Sequence, residues 1–369
     1  MTLVFIVNSG SSSIKWEMLD VSTEEKMAGG IVERIGEAGH AADHEQAMQQ
    51  ILGELGDATP VAIGHRVVHG GSIFREATQI TDEVEQQIEQ LSALAPLHNP
   101  ANLAGIRAAR AAFPGVPNVA VFDTAFHQSL APEAYTYAID AEVAREHGVR
   151  RYGFHGTSYQ YVARRTAEFL GRDDARLIVF HLGNGASVCA IDSGRSIETS
   201  MGMTPLEGLV MGTRSGDLDA GLLFHLGRAG YTIEQLDTLL NRASGLFGLT
   251  GTGDMRDVQV AAASGDAAAR LALDVYHHRL RHYLGAYLAH LGGADAIVFT
   301  AGVGENSAPT RAAALAGTGW LGIEVDPERN GSSERGARVV SSDASAITVL
   351  VVPTNEELEI ARQTMAVVG

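Results

Sequence analysis

Two short loops rich in glycine and serine contain the residue types that bind phosphate. The first covers residues 8–15 (NSGSSSIK) and the second covers residues 181–188 (HLGNGASV). Glycine lets successive backbone N–H groups turn toward one anion, and hydroxyl groups add further donors. Lys15 adds a compact cation and is one of only two lysines in the chain. The loops therefore predict two phosphate-binding hairpins, which together would hold a nucleotide.

Other polar residues with a possible chemical role lie between glycines or after apolar runs. Arg66 lies in GHRVVHGG, His155 in YGFHGT and Arg214 in MGTRSGD, although each alone could be an ordinary core or surface residue. Asp123 follows an apolar run, where open α/β sheets bind ligands, but it could also cap a helix. Residues 299–306 (FTAGVGEN) offer a third glycine loop that could lie under a base or ribose, or form a plain strand-to-helix turn.

The sequence lacks the motifs of several other enzyme classes. It contains no Gly-x-x-x-x-Gly-Lys-Ser/Thr, which excludes a P-loop NTPase, and neither the glycine-rich loop nor the His-Arg-Asp set of protein kinases. It shows no zinc-ligand spacing and no Gly-x-Ser-x-Gly of hydrolases. A net charge of −17 argues against a nucleic-acid partner, because binding a polyanion needs a basic face.

The elements that would position these residues are typical of an α/β fold. Continuous apolar runs predict buried strands at residues 3–7, 119–122, 177–182, 297–300 and 348–352. A helical pattern follows a cap at Thr81, and a long apolar helix over residues 268–291 should stop at Gly292. Residues 356–368 predict a closing helix. Alternating apolar residues after the first loop predict a hairpin there.

The chain looks like one strand-loop-strand unit used twice. Aligning Ser13 on Ser187 without a gap sets residues 2–7 against residues 176–181. At 369 residues the chain is long enough for two domains. We expect a soluble cytoplasmic protein without a membrane span, because no leader or long apolar stretch is present. The single cysteine, Cys189, lies in an apolar run and predicts a buried, inert thiol.

Taken together, the motifs resemble those of the acetate kinases, within the acetate and sugar kinase, Hsp70 and actin superfamily. The matching segments, in family order, are residues 8–15, 64–71, 96–100, 121–127, 150–158, 181–185, 199–217, 299–306 and 353–357. The resemblance implies two duplicated ribonuclease-H-like (actin-like ATPase) domains with the active site in the cleft between them, and a homodimer. The amino-terminal domain would cover residues 1–148 and the nucleotide-binding domain residues 149–355, with the helix at 356–369 packing back on the first.

The resemblance implies reversible transfer of the ATP γ-phosphoryl group to acetate, giving acetyl phosphate and ADP, with Mg²⁺ or, in its place, Mn²⁺. Arg66 and Arg214 would bind the carboxylate and the transferring phosphoryl group, and His155 would donate to the phosphoryl oxygens. Asp123 matches an essential aspartate of the family, described as an acid or a base. A carboxylate nucleophile is already ionised at neutral pH, so we interpret Asp123 as orienting Arg66 or a water on magnesium.

Similarity assigns the remaining site residues. Asn8 and Glu356 match the family's magnesium-associated positions. The residues assigned to ATP are Lys15, His181, Leu182, Gly183, Asn184, Gly185, Asp254, Met255, Arg256, Gly302, Val303, Gly304, Glu305 and Asn306. The residues assigned to the pocket for the methyl group are Val68, Leu97, Phe154 and Pro205. One methylene is worth only about 1 to 3 kcal/mol in such a pocket, so propionate could also be a substrate.

Three features depart from the family pattern. Tyr159 stands where a histidine is common, and Ala301 stands where a glycine is common. The chain is also shorter than is typical, through trimming between residues 20 and 59. Two alternatives remain: a propionate or butyrate kinase of the same superfamily, and an actin- or Hsp70-like ATPase, which would need no carboxylate.

Overall fold

The apolar runs of the sequence form two separate sheets. In the computed structural model, residues 1–55, 58–96 and 98–369 are described. They divide into unit 1, which comprises residues 1–128, 154–161 and 355–369, and unit 2, which comprises residues 129–153 and 162–354. The sequence predicted a division after residue 148. In the structure, residues 129–148 group with unit 2, and residues 154–161 group with unit 1.

The elements of the described residues are as follows. The strands are β1 (Leu3–Ser9), β2 (Ser13–Asp20), β3 (Glu25–Glu33), β4 (Ala62–Val67), β5 (Thr78–Gln79), β6 (Asn118–Phe122), β7 (Arg176–Leu182), β8 (Ala186–Asp192), β9 (Arg195–Thr199), β10 (Ala296–Thr300), β11 (Arg338–Val339) and β12 (Thr348–Val351). The helices are α1 (His44–Leu55), α2 (Asp82–Gln90), α3 (Asn99–Ala112), α4 (Pro132–Tyr135), α5 (Ala141–Glu146), α6 (Gly156–Leu170), α7 (Gly221–Arg228), α8 (Ile233–Arg242), α9 (Gly245–Thr250), α10 (Met255–Ala263), α11 (Ala267–Leu291), α12 (Ala301–Asn306), α13 (Ala308–Ala314), α14 (Pro327–Gly331) and α15 (Glu356–Val368).

The sheet of unit 1 has the strand order β3-β2-β1-β4-β6-β5. Strands β1 to β3 form an antiparallel meander, whereas β1, β4 and β6 are parallel neighbours. Ile14, Trp16 and Met18 alternate along β2 and are buried, so the predicted hairpin after the first loop is confirmed. Helices α1, α3 and α15 belong to the same unit.

Strand β1 is continuously apolar because both of its faces are covered. Val4 and Ile6 pack in one cluster with residues of α15, and Phe5 and Val7 pack in another with residues of α1 and α3. Burial on both faces removes the alternation that a half-exposed strand would show. Residues 356–368 therefore form the predicted closing helix, and its apolar side chains complete the core of unit 1.

The sheet of unit 2 repeats the strand order of unit 1. Its order is β9-β8-β7-β10-β12-β11, with an antiparallel meander from β7 to β9 and parallel neighbours β7, β10 and β12. In both sheets a short sixth strand runs antiparallel at the edge. The predicted duplication of the strand-loop-strand unit is thus confirmed, and it extends to the whole six-stranded sheet.

Local signals in the sequence set the ends of the helices. The Thr81 hydroxyl accepts a hydrogen bond from the N–H of Val84 at 3.2 Å, as expected for the cap of α2. Helix α11 stops at Gly292, whose φ of 64° is in the left-handed region.

Cys189 is buried, and burial raises the pKa of its thiol. Within the described residues, no helix has both the length and the apolarity needed to cross a membrane.

Candidate active site

Four predicted site residues of unit 1 meet at one edge of its sheet. Arg66 lies on β4, which is flanked by β1 and β6. Asn8 lies near the end of β1, and Asp123 directly follows β6. Glu356 is the first residue of α15. The carboxyl ends of parallel strands meet at one edge, which is where open α/β sheets bind ligands. The topology therefore joins side chains that lie far apart in the sequence.

Arg66 is the centre of this group. Its Nε donates to Asp123 Oδ1 at 3.0 Å and its Nη2 donates to Asp123 Oδ2 at 2.5 Å, so the ion pair is bidentate. Its Nη1 donates to Asn8 Oδ1 at 3.3 Å, and its Nε lies 3.9 Å from Glu356 Oε2. Asp123 is 1% exposed, whereas the Arg66 side chain is 22% exposed. The carboxylate is thus buried behind a guanidinium that remains partly accessible.

The electrostatics of the group favour a permanently charged arginine. Burial by itself disfavours the Arg66 cation, but Asp123 and Glu356 outweigh it, so the pKa of Arg66 is raised. Burial raises the pKa of Asp123, against the lowering effect of Arg66. Burial also raises the pKa of Glu356, and the like charge of Glu357 adds to the effect. Glu357 is paired with Lys15, so three carboxylates face two cations, and a metal ion would neutralise the remaining negative charge.

Asp123 is also fixed by the start of α6. Its carbonyl accepts from the N–H of Gly156 at 2.9 Å, and its Oδ1 accepts from the Thr157 hydroxyl at 3.4 Å. A Cβ on Gly156 would lie 2.2 Å from that carbonyl oxygen, so only glycine fits there. His155, directly before, has a φ of 58°, a left-handed conformation that is uncommon for a non-glycine residue. The backbone thus holds His155 beside the Asp123 anchor in an unusual conformation.

The predicted metal-binding residues provide suitable oxygen atoms. The Asn8 amide oxygen and the Glu356 carboxylate both lie against the Arg66 guanidinium. Mg²⁺ prefers such hard oxygen ligands and usually takes only one or two carboxylates, while phosphate and water fill the other positions. No cluster of three or more histidine, cysteine or acidic side chains suited to a metal occurs among the described residues. The residues present therefore fit a metal that the protein holds together with a phosphate substrate.

Two predicted acyl-pocket residues lie near each other in unit 1. Val68 and Phe154 are buried, and the ring of Phe154 meets that of His69 edge to face at 5.7 Å between centroids. The third, Leu97, lies outside the described residues. Pro205 belongs to unit 2, where its carbonyl accepts from Arg214 Nη1 at 2.8 Å. Pro205 is therefore placed beside a predicted catalytic arginine.

Lys15 and Tyr159 have partners within unit 1. Lys15 forms an ion pair with Glu357, and its side chain is about half exposed. Burial lowers the pKa of Lys15, but Glu357 outweighs this effect and the pKa is raised, so its ammonium stays charged. Tyr159 is buried, with its ring near those of Phe126 and His127. Tyr159, which stands where a histidine is common in the family, therefore packs against other aromatic rings.

The second phosphate loop is the tight connection between β7 and β8. Leu182 pairs with Ala186, and the N–H of Gly183 donates to the carbonyl of Gly185 at 3.1 Å. His181 and Leu182 are buried strand residues, so the loop itself is residues 183–185. A Cβ on Gly185 would lie 3.4 Å from Arg214 Nη2, which places the predicted catalytic arginine of unit 2 against this loop.

A cavity of about 600 Å³ in unit 2 collects most of the predicted ATP residues. The predicted residues that line it are Gly183, Asn184, Asp254, Met255, Arg256, Gly302, Val303 and Asn306. His181, Leu182, Gly185, Gly304 and Glu305 do not line it. Asp254 caps α10, and its hydrogen bonds with Arg256 lower the pKa of its carboxyl to about 2. The cavity has the size of a small-molecule site.

Sequence reasoning missed several residues of this cavity. They are Gly212, Leu246, Gly253, Gln259, Tyr276, Ser307 and Pro309. Gly212 lies in the same motif as Arg214, and a Cβ at position 212 would lie 2.1 Å from Asn184 Oδ1. The presence of glycine was therefore the signal from which this cavity residue could have been predicted. Gln259 and Tyr276 come from the middle of α10 and α11 and belong to no recognisable motif.

The third glycine segment is helical rather than an open loop. Residues 301–306 form α12, which follows β10 directly, and Gly302, Val303 and Asn306 of this helix line the nucleotide cavity. Ala301 has a φ of 63°, in the left-handed region where the family commonly has glycine. Gly304 packs against Phe299, whereas a Cβ on Gly302 would meet nothing within 4 Å. The glycine at position 302 therefore leaves room for a ligand, rather than for protein atoms, to approach the backbone closely.

The two sheets have the same strand order. One carries a buried carboxylate–arginine pair, and the other carries a glycine hairpin beside a nucleotide-sized cavity. These features define a two-domain kinase of the actin-like ATPase fold. The more specific assignment comes from the sequence as a whole. Residues 3–362 match the model of the acetokinase family, and the chain belongs to that family.

Known proteins resemble the chain over its full length. The acetate kinase of Leifsonia xyli subsp. xyli is 61% identical over 395 aligned positions, which include all of both chains. The crystal structure of Porphyromonas gingivalis acetate kinase superposes with a TM-score of 0.96 at 40% identity, covering all of both chains. The crystal structure of a propionate kinase from Francisella tularensis subsp. tularensis has a TM-score of 0.95 at 38% identity, with the same coverage.

Proposed function

We propose that this chain transfers the γ-phosphoryl group of ATP to acetate, reversibly and with Mg²⁺. A carboxylate oxygen of acetate forms the new bond to phosphorus, and the bond from phosphorus to the β–γ bridging oxygen breaks. Acetyl phosphate and ADP are the products. The observation that carries this proposal is the bidentate Arg66–Asp123 pair in a chain of the acetokinase family.

In this proposal Arg66 binds the carboxylate and Asp123 orients Arg66. The nucleophile is ionised at neutral pH, since carboxyl pKa values are about 4, so the reaction needs no strong base. Asp123 is buried and both of its carboxylate oxygens accept from the Arg66 guanidinium. A carboxylate in this position supports orientation of the arginine rather than proton transfer. Catalysis is then mostly positioning and charge stabilisation.

Arg214 and His155 stabilise the transferring phosphoryl group in this scheme. Among the described residues, Arg214 has no carboxylate partner, and burial lowers its pKa. A cation that is not already neutralised can respond fully to charge on a phosphoryl oxygen. Its Nη1 is oriented by the Pro205 carbonyl, and its guanidinium lies against Gly185. An arginine in such a role is worth on the order of a thousandfold in rate.

The metal in this proposal is Mg²⁺, with Mn²⁺ as a substitute. Asn8 and Glu356 would hold it, and it would neutralise charge on the phosphate oxygens. ATP would bind in the cavity of unit 2, with its phosphates at residues 183–185 and its adenosine between residues 254–256 and α12. Lys15 remains a candidate phosphate ligand, since its ammonium is half exposed beside Glu357.

The experiment that tests the function compares acetate, propionate and butyrate as acceptors, by measuring ADP and acyl phosphate together. We expect equal amounts of both products, with the highest kcat/KM for acetate. Propionate kinase is the second candidate because a solved propionate kinase is nearly as similar as a solved acetate kinase. A methylene changes kcat/KM by about 10- to 200-fold, so a preference of that size for propionate would replace acetate as the substrate.

The same assay without any carboxylate separates the kinase from an ATPase of the same fold. We expect ADP formation to fall to the background of the ATP stock. Rapid ADP release with phosphate and no acyl phosphate would assign an actin- or Hsp70-like activity instead.

A homodimer is part of the proposal. The side chains of Phe224 and Ile233 in unit 2 are exposed and apolar and line one groove, which supports association of the protein with itself. Sedimentation velocity at micromolar concentration should give a single species of twice the chain mass, whereas a monomer at that concentration would contradict it.

A further inference from the structure

A second polar cavity of unit 2 lies behind the nucleotide segment. It has a volume of about 790 Å³. Its charged and amide side chains are those of Arg311, Arg335, Arg338, Asn330, Glu305 and Glu334, and serines 332 and 333 add hydroxyl groups. Asn306 lines both this cavity and the nucleotide cavity. The two cavities therefore share a wall at the end of α12.

Arg311 is buried in this wall, and no carboxylate of the described residues pairs with it. It is 1% exposed, and its Nε donates to Asn330 Oδ1 at 2.7 Å. Its Nη1 donates to the carbonyls of Gly304 and Glu305, both at 2.9 Å, and its Nη2 to the carbonyl of Asn330 at 2.6 Å. All four acceptors are neutral. The cation thus caps the last carbonyls of α12 but keeps its full charge.

Arg338 brings a second cation to the same point. Its Nη2 donates to the Glu305 carbonyl at 3.2 Å and its Nη1 to the Gly336 carbonyl at 3.3 Å. Its Nε is buried and has no hydrogen-bond acceptor within the described part of the chain. Two guanidinium groups therefore share one carbonyl oxygen. The two lone pairs of that oxygen accept from both groups, which brings two cations to one point of the cavity wall.

The charges that face this pair leave it under-neutralised. Burial and, to a smaller extent, repulsion from Arg338 together lower the pKa of Arg311 to about 10. Burial raises the pKa of Glu305 against the lowering effect of the Arg338 charge, and its Oε1 accepts from the N–H of Thr354 at 3.2 Å. Within the described residues, no acidic group forms an ion pair with Arg311, Arg335 or Arg338. An anion entering the cavity would find unshared positive charge in a chain of net charge −17.

We propose that this cavity is an anion site for a phosphate group, bound by Arg338 with Arg335, Ser332 and Ser333 in front of the buried Arg311. Guanidinium groups bind phosphate in a bidentate manner, and the free Nε of Arg338 supplies a donor for it. The phosphate could be free or part of a small phosphorylated metabolite, since the cavity is much larger than phosphate itself.

Such an anion would act on nucleotide binding through α12. Arg311 and Arg338 hold the carbonyls of Gly304 and Glu305, while Gly302, Val303 and Asn306 of the same helix line the nucleotide cavity. Neutralising the repulsion between the two guanidinium groups would strengthen their joint hold on the helix. We expect phosphate and ADP to raise each other's affinity by the same factor, because coupling between two sites is reciprocal. This coupling rests on the proposed nucleotide role of unit 2.

The test is calorimetric titration of inorganic phosphate, and separately of glycerol 3-phosphate, into protein saturated with ADP at constant ionic strength. ADP saturation prevents the probes from binding where the two ADP phosphates lie, and any phosphate that Arg66 and Arg214 bind would bind the variant equally. The variant is Arg338→Gln, and the matched control is Arg165→Gln, which removes an exposed arginine that pairs with Glu168. We expect phosphate to bind the native protein and the control, with at least tenfold weaker binding to Arg338→Gln. Tighter binding of the ester would identify a metabolite, and equal or weaker binding would identify free phosphate.

Identical phosphate isotherms for the native protein and Arg338→Gln would overturn the proposal, as would the absence of binding to the native protein. If Arg338→Gln does not fold, Arg335→Gln, on the exposed rim, should weaken phosphate at least threefold, and an unchanged affinity would overturn the proposal equally. ADP titration without phosphate tests the proposed function separately. Loss of ADP binding there would refute the nucleotide role, whereas normal ADP binding without a phosphate site would refute only this inference.

Discussion

Replacing Asp123 with asparagine tests whether this carboxylate positions Arg66 or acts as a base. The native side chain accepts two charge-assisted hydrogen bonds from Arg66, at 3.0 and 2.5 Å. Asparagine keeps one neutral acceptor, while its amide NH₂ group faces a guanidinium N–H. The change should therefore free Arg66 from its orientation without altering the size of the side chain.

The size of the effect follows from these contacts. A hydrogen bond to a charged group contributes about 1.5 to 3 kcal/mol, and the remaining bond weakens to about 1 kcal/mol when its acceptor becomes neutral. Because the Arg66 side chain is 22% exposed, water screens part of the loss. We expect the Asp123→Asn variant to lose about 2 to 4 kcal/mol of transition-state stabilisation. That corresponds to a decrease in kcat/KM for acetate of about thirtyfold to a thousandfold.

The assay is ADP formation at saturating ATP, with acetate varied, at several pH values between 6 and 9. If Asp123 orients Arg66, the KM for acetate should rise and the pH profile should keep its shape at a lower level. The matched control is Asp20→Asn, which neutralises another buried carboxylate of unit 1 whose partners are Thr2 and Ser22. The reasoning is refuted if Asp123→Asn leaves the KM for acetate unchanged and removes the acidic limb of the profile, since that is the behaviour of a lost base.

Three further predictions concern other parts of the structure. Gly212→Ala should raise the KM for ATP about tenfold, which corresponds to about 1.4 kcal/mol. The reason is that the new Cβ would lie 2.1 Å from Asn184 Oδ1. An equal rise in the KM for acetate would contradict this prediction. Ala301→Gly should increase the free energy of unfolding in urea by about 0.5 kcal/mol, since relief of a left-handed alanine exceeds the entropy cost of glycine; a decrease would contradict it. Burial lowers the pKa of His65 to about 4, so the unfolded chain binds more protons between pH 6.5 and 4. Stability is therefore lost as the pH falls through this range, by up to about 3 kcal/mol. His65→Gln should reduce that slope in urea titrations at each pH.

The sequence predicted the elements whose signals are local. The cap at Thr81, the stop at Gly292 and the closing helix α15 were all found as expected, because each depends on a few neighbouring residues. The duplication was also predicted, since the two hairpins retain similar loops at the same place in two sheets. Residues 301–306 were expected to form a glycine loop, because glycine at 302 and 304 lowers helix propensity; they form α12, which packs against β10 and Phe180.

The parts of the site that tertiary packing assembles could not be predicted in the same way. Gln259 and Tyr276 reach the nucleotide cavity from two long helices, and nothing in their sequence neighbourhood distinguishes them from other helical residues. The arginines at 311 and 338 meet at one carbonyl only because α13 and β11 pack beside α12. The sequence placed Asp123 at a strand end, but it predicted no strand for Arg66, so only the family resemblance connected these two residues.

The duplicated sheets also explain why one unit binds the small acceptor and the other the nucleotide in the proposed reaction. In unit 1, the edge formed by β1, β4 and β6 carries Arg66 and Asp123, so it offers fixed charge to a small carboxylate. In unit 2, the strand that occupies the place of β4 is β10, and it leads into α12, where Gly302 leaves open space among the described residues. A nucleotide needs that space, whereas acetate needs the charge. Placing an arginine at position 302 should therefore abolish ATP binding without creating a second carboxylate site, because unit 2 has no buried aspartate after β12 to orient it.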